Sequence, residues 1–81
     1  AFGYQALLSN RGSQNSAFGI NALRDNTTGS SNTALGEGAL IQSSTANQNT
    51  AVGRLSMFGN TTGNNNSAVG YNSLAGNTTG G

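Results

Sequence analysis

The chain has 81 residues, with three arginines against one aspartate and one glutamate, and no lysine, histidine, cysteine or proline. A length of 81 allows a single small domain over 1–81, whose core is necessarily thin because only 33% of the residues are apolar. A net charge of +1 gives no electrostatic footprint for nucleic acid. No apolar run approaches the roughly 20 residues that insert across a bilayer, and no leader pattern is visible. Without cysteine or histidine, the chain has no disulfides, no thiolate chemistry and no metal site of the His/Cys kind.

The residues repeat. Asn-Thr-Ala-Leu-Gly-Glu-Gly-Ala-Leu at 32–40 recurs at 15–23, 49–57 and 66–74, and its second half opens the chain at 1–7. The anchoring glycines are Gly3, Gly19, Gly36, Gly53 and Gly70, so successive copies are 16, 17, 17 and 17 residues apart. Two places before each glycine stands alanine (Ala1, Ala17, Ala34, Ala51, Ala68). One place before it is Phe2, Phe18, Leu35, Val52 or Val69. Four places after it comes Leu7, Leu23, Leu40, Met57 or Leu74. Between copies runs Asn-Thr-Thr-Gly, at 26–29, 60–63 and 77–80. Self-similarity at a short fixed period predicts stacked structural units.

A 17-residue unit is too short for the helix pairs of most helical repeats, and Gly, Asn and Thr at this density disfavour helix. Short strands joined by tight turns fit better, with glycine supplying positive φ and Asn bonding to its own backbone in the Asn-Thr-Thr-Gly turn. The pattern predicts strands over 16–19 and 21–24, with equivalents in every copy, pairing in parallel and in register about 4.8 Å apart. The expected fold is therefore all-β, a parallel β-solenoid of about five 17-residue coils.

Neighbouring strand residues point to opposite faces, so Ala34 and Leu35 are predicted on opposite sides of the sheet, and Ala39 and Leu40 likewise. An apolar column would then run along both faces, and the one left outside marks an interface. This predicts self-association about the long axis. Freely varying columns, which carry nearly all the charge, are expected at corners. The chain begins and ends within a repeat and has no distinct cap, which stacked repeats need, so a fragment of a longer fibre is expected.

Catalysis is not expected. The two carboxylates, Asp25 and Glu37, lie on different copies and are too few for a calcium cage. Gly36-Glu37-Gly38 opens like a dinucleotide fingerprint, but the third glycine and the following helix are missing. Neither cofactor nor metal is expected. Asn26, Asn60, Asn77 and Asn65 each head an Asn-x-Ser/Thr glycosylation pattern, three of them generated by the repeat itself. The column Asn15, Asn32, Asn49, Asn66 is expected to form a coil-to-coil ladder of amide hydrogen bonds. Two readings of the surface stay open. Tyr4, Arg54, Phe58 and Tyr71 are candidates for a shallow site for a surface glycan or a host surface protein. Alternatively, Thr27, Thr61 and Thr78 with Ser44, beside Thr28, Thr45, Thr62 and Thr79, form hydroxyl-methyl columns of the kind an ice-binding face needs. A self-assembling β fibre is a third reading.

The run Asn66-Ser67-Ala68-Val69-Gly70-Tyr71-Asn72-Ser73-Leu74 resembles the head repeats of trimeric autotransporter adhesins. It resembles still more the repeats of phage-type tail fibres and related bacterial surface fibres, where Asn-Thr-Thr-Gly separates the copies. The resemblance implies a left-handed parallel β-roll, a homotrimer, and an extracellular place on a bacterial surface or a phage-like tail. It implies a rigid shaft or an adhesive, receptor-binding head. The adhesin repeats are nearer 14 residues, where these have 17, and no family binding residue maps onto a position of this chain.

Overall fold

Each Ser/Thr-Ala-apolar triplet ahead of an anchoring glycine forms a strand. In the computed structural model, which describes residues 3–75, these are β1 (Ser16–Phe18), β2 (Thr33–Leu35), β3 (Thr50–Val52) and β4 (Ser67–Val69). They form one parallel sheet in chain order, and no helix occurs among the described residues. Register is one repeat per strand, with Ala17 over Ala34, Ala34 over Ala51 and Ala51 over Ala68. The arrangement is consistent with a β-solenoid. Among the described residues there are four strands, where about five coils were expected. The first copy's strand position falls on Ala1 and Phe2, outside the described residues. That copy still stacks through its turn, with Leu7 N–H donating to Ala22 C=O at 3.0 Å and Asn21 N–H to Tyr4 C=O at 2.8 Å.

The interior is built from small and medium side chains. Ala17, Ala34 and Ala51 are fully buried, joined by Ala22, Ala39, Leu23, Leu40 and Met57. Asn26, Asn32, Asn49 and Asn60 are equally buried. The coil is too narrow for large residues on the sheet's inner face, so Ala takes that face and Phe18, Leu35 and Val69 point outward, exposed. Opposite faces for Ala34 and Leu35 were expected, and the larger member of each pair is the one outside.

Two expectations fail after the glycine. The segment 21–24 is not a strand, and Ala39 and Leu40 are both buried instead of alternating. Positive φ at every second residue is the cause: Gly19 at 123°, Asn21 at 63° and Leu23 at 52°. The chain runs through four-residue turns that share their ends, with Ala22 N–H donating to Gly19 C=O (3.2 Å), Arg24 N–H to Asn21 C=O (3.1 Å) and Asn26 N–H to Leu23 C=O (3.2 Å). Positive φ next in line is a turn signature, and a period of two does not apply there. A left-handed conformation costs an L-residue about 1–2 kcal/mol. Burying a leucine returns about 1.5–3 kcal/mol, and Leu23 N–H also donates to Ala39 C=O of the next copy at 3.0 Å. Burial and stacking therefore outweigh the strain, which explains an apolar residue where Gly or Asn would be the default.

The anchoring glycine is required twice over. Gly36 has φ 126°, and a Cβ there would lie 2.6 Å from the carbonyl carbon of Gly53. Gly19 and Gly53 sit the same way beneath Gly36 and Gly70. Successive copies thus approach backbone to backbone at this column.

Candidate interaction surface

The outer face of the sheet carries two columns. Ser16, Thr33, Thr50 and Ser67 form one, and Phe18, Leu35, Val52 and Val69 the other. The alternation along each strand puts both on the side away from Ala17, Ala34, Ala51 and Ala68. Just past the glycines, Tyr4, Ile20, Glu37, Arg54 and Tyr71 continue the surface as a corner column, every one of them exposed. The surface is open and ribbed, with no enclosed pocket among the described residues.

Two of the four candidate site residues come together. Arg54 Nε donates to Glu37 Oε1 of the preceding copy at 2.8 Å, and its guanidinium carbon lies 5.7 Å from the centre of the Tyr71 ring of the following copy. One side chain thus links three copies, and the hydrogen bond to Glu37, with its charge, raises the guanidinium pKa. Tyr4 stands in the same corner column but three copies before Arg54, a rise of about 14 Å at the usual strand spacing. Phe58 belongs to another column, beyond the buried Met57, and is 38% exposed. The four do not form one site. Arg24 and Asp25, adjacent in sequence, pair with each other at 3.0 Å.

Among the described residues, the freely varying columns lie mainly at the surface, with two exceptions, Gly38 and Ile41, which are buried. Gly38 is covered by the Leu55 side chain of the next copy. Of the threonine columns, Thr27 and Thr28 occupy a bend, and the Thr27 hydroxyl donates to Ser44 C=O at 3.1 Å. Thr78 and Thr79, with the rest of the turn at 77–80, lie outside the described residues.

The asparagine ladder is present, but it runs from side chain to backbone. Asn32 N–H donates to Asn15 Oδ1 (2.9 Å), Asn49 N–H to Asn32 Oδ1 (3.0 Å) and Asn66 N–H to Asn49 Oδ1 (2.9 Å). The Nδ2 groups of Asn15, Asn32 and Asn49 donate to Gly29, Ala46 and Gly63 C=O respectively, each at 2.8 Å. The amides of Asn15, Asn32 and Asn49 therefore each clip the chain of the next copy at two points. A second ladder, not anticipated, runs the other way. Ser13 N–H donates to Ser30 Oγ (3.2 Å), Ser30 N–H to Asn47 Oδ1 (2.7 Å) and Asn47 N–H to Asn64 Oδ1 (2.6 Å). Its signal was a small polar residue at each of 13, 30, 47 and 64, which an Asn- and Ser-rich background hides.

A third column, Asn10, Asn26, Ser43, Asn60, lines the turn. Asn26 Nδ2 donates to Asn10 Oδ1 (2.7 Å) and to Gly29 C=O three residues on (3.1 Å), and Asn60 Nδ2 to Gly63 C=O (3.2 Å). The bond of Asn to its own turn is as expected. Ser43 is too short to reach its neighbours, and its hydroxyl and Asn26 Oδ1 are both buried without a partner. The chain matches no known protein family, no curated protein and no solved structure.

Proposed function

We propose that the chain is a structural and adhesive module of an extracellular surface or tail fibre, acting as a rigid shaft or receptor-binding head. In this reading it is a left-handed β-solenoid of about five coils, three copies of which associate along a common axis. The observation that carries it is the outward column Phe18, Leu35, Val52, Val69, stacked in register on a sheet whose inner face is only alanine. An apolar stripe of this length is stable in water when a partner covers it, and an identical chain offers a stripe of the same length and pitch. The resemblance of 66–74 to fibre repeats supplies the count of three, the handedness and the setting. The reading is non-catalytic.

Light scattering on the purified chain tests it. A discrete species near three times 8.1 kDa is expected, and Leu35→Glu combined with Val52→Glu should give a folded monomer with unchanged far-ultraviolet circular dichroism. A stable wild-type monomer overturns the association. Open-ended growth would favour the self-assembling fibre instead, and thermal hysteresis the ice-binding array, against which the engaged Thr27 hydroxyl weighs. Retention on a glycan array, lost on Arg54→Ala or Tyr71→Ala, would separate head from shaft.

A further inference from the structure

Three Asn-x-Ser/Thr patterns fall within the described residues, and the fold treats them unequally. Asn26 and Asn60 are fully buried. Their Nδ2 atoms, the nucleophiles in any N-glycosyl transfer, are engaged inside the turn with Gly29 and Gly63 C=O. Asn65 is exposed, and so is Ser67 at the required second position after it. Asn65 sits at φ 61°, on a left-handed knuckle just before β4. Its backbone N–H donates to Asn47 C=O at 3.1 Å, so the main chain is held in place by the neighbouring copy while the side chain faces solvent.

The other residues of the same column are Gln14, Ser31 and Gln48, also exposed and also at positive φ. None of them heads the pattern. The structure assigns Asn65 as an N-glycan acceptor, taking a sugar activated as a diphosphate ester, and makes the patterns at Asn26 and Asn60 silent in the folded chain. In the transfer, Asn65 Nδ2 forms a bond to the anomeric carbon. The bond from that carbon to the diphosphate oxygen breaks, the diphosphate leaves with the electron pair, and one amide proton goes to base. The inference does not depend on the fibre reading, since it concerns accessibility in a single folded chain.

Two arms distinguish the donor. In one, the purified folded chain is incubated with a soluble N-glycosyltransferase and UDP-glucose. In the other, the chain is secreted past a membrane transferase that uses a lipid-linked oligosaccharide, and the folded fraction is recovered. Intact mass and peptide mapping should show one adduct, on Asn65, in at least one arm. Asn65→Gln and Ser67→Ala should each abolish it. Asn65→Gln introduces the residue already present at 14 and 48 with the same φ, so it should fold. No adduct in either arm overturns the assignment, as does modification of Asn26 or Asn60 on folded chain.

Discussion

Asn32 Oδ1 accepts the backbone N–H of Asn49 at 3.0 Å, and both residues are fully buried. Asn32 Nδ2 reaches Ala46 C=O, three residues earlier in the same neighbouring copy, at 2.8 Å. Removing the amide strands one backbone donor and one acceptor away from water. At about 1–3 kcal/mol for each buried orphan, Asn32→Ala should destabilise the chain by about 2–6 kcal/mol in a urea titration. A loss well under 1 kcal/mol would mean that the ladder only decorates a stack held by other forces.

Ser43 and Ala46 replace Asn and Gly together, and the geometry of the preceding turn shows why. A Cβ at Gly29 would run into Ala46 C=O of the next copy and would also lie 2.5 Å from Asn26 Oδ1, so the asparagine adds to the crowding of a side chain three residues later, and Ser43 relieves that part of it at Ala46. Ser43→Asn alone should therefore destabilise, and Ser43→Asn with Ala46→Gly should recover that loss. The coupling measured in a double-mutant cycle should be about 1 kcal/mol or more. Strict additivity would show the two changes to be unrelated.

Gln48 has φ 59° and is exposed, with its N–H bonded to Ser30 C=O at 3.0 Å. Gln48→Gly keeps that bond and removes about 1–2 kcal/mol of left-handed strain. The greater freedom of glycine in the unfolded chain takes back about 0.4–1 kcal/mol. A net gain of about 0.5 kcal/mol is expected from the midpoint of chemical unfolding, and a net loss would show that the side chain itself contributes to stacking.

Arg54 has its pKa raised by the hydrogen bond to Glu37 and by that charge, and Arg24 is raised in the same way by Asp25. A folded pKa raised above the unfolded value contributes stability that is fully present below the ordinary arginine range and is lost only at more alkaline pH. With no histidine in the chain, melting temperature should be flat between about pH 6 and pH 9. A slope in that window would point to a titrating group that these ion pairs do not include.

Gly36→Ala adds a methyl group 2.6 Å from backbone of the next copy, at φ 126°. Overpacking of about 1–3 kcal/mol and left-handed strain of about 1–2 kcal/mol act together. The variant should lose about 2–5 kcal/mol, read by thermal or chemical unfolding. Wild-type stability would mean that the copies can separate locally without penalty.

Much of this architecture is legible in the residues, because a repeat converts sequence position directly into spatial neighbourhood. The strand triplets, the in-register pairing and the Asn15–Asn32–Asn49–Asn66 ladder all follow from a constant spacing. What was not legible is where backbone conformation breaks the period. Leu23, Leu40 and Met57 are poor left-handed residues by propensity, and only the burial available inside a stacked coil makes that conformation favourable. The apolar pair after each glycine therefore reads as a strand when it is a turn. Of the candidate surface residues, Arg54 and Tyr71 share a column one repeat apart and meet. Tyr4 and Phe58 are separated by copy and by column, which exposure and aromaticity alone do not register.

The constant register has a consequence for how the chain finds its fold. Because Ala lies over Ala, Gly over Gly and Asn over Asn at every level, a strand displaced by one whole copy would meet a surface almost identical to its own. A molecule with one copy looped out would keep most of its pairing and lose only the interfaces of the omitted copy. The irregularities are what tell the levels apart. The turn shortened to Asn10-Arg11-Gly12 marks one level, Ser43 with Ala46 marks another, and the Glu37–Arg54–Tyr71 stack ties three particular levels in order. These departures act as phase marks in an otherwise degenerate ruler, and erasing them to make a perfect consensus would trade a unique stack for a family of slipped isomers.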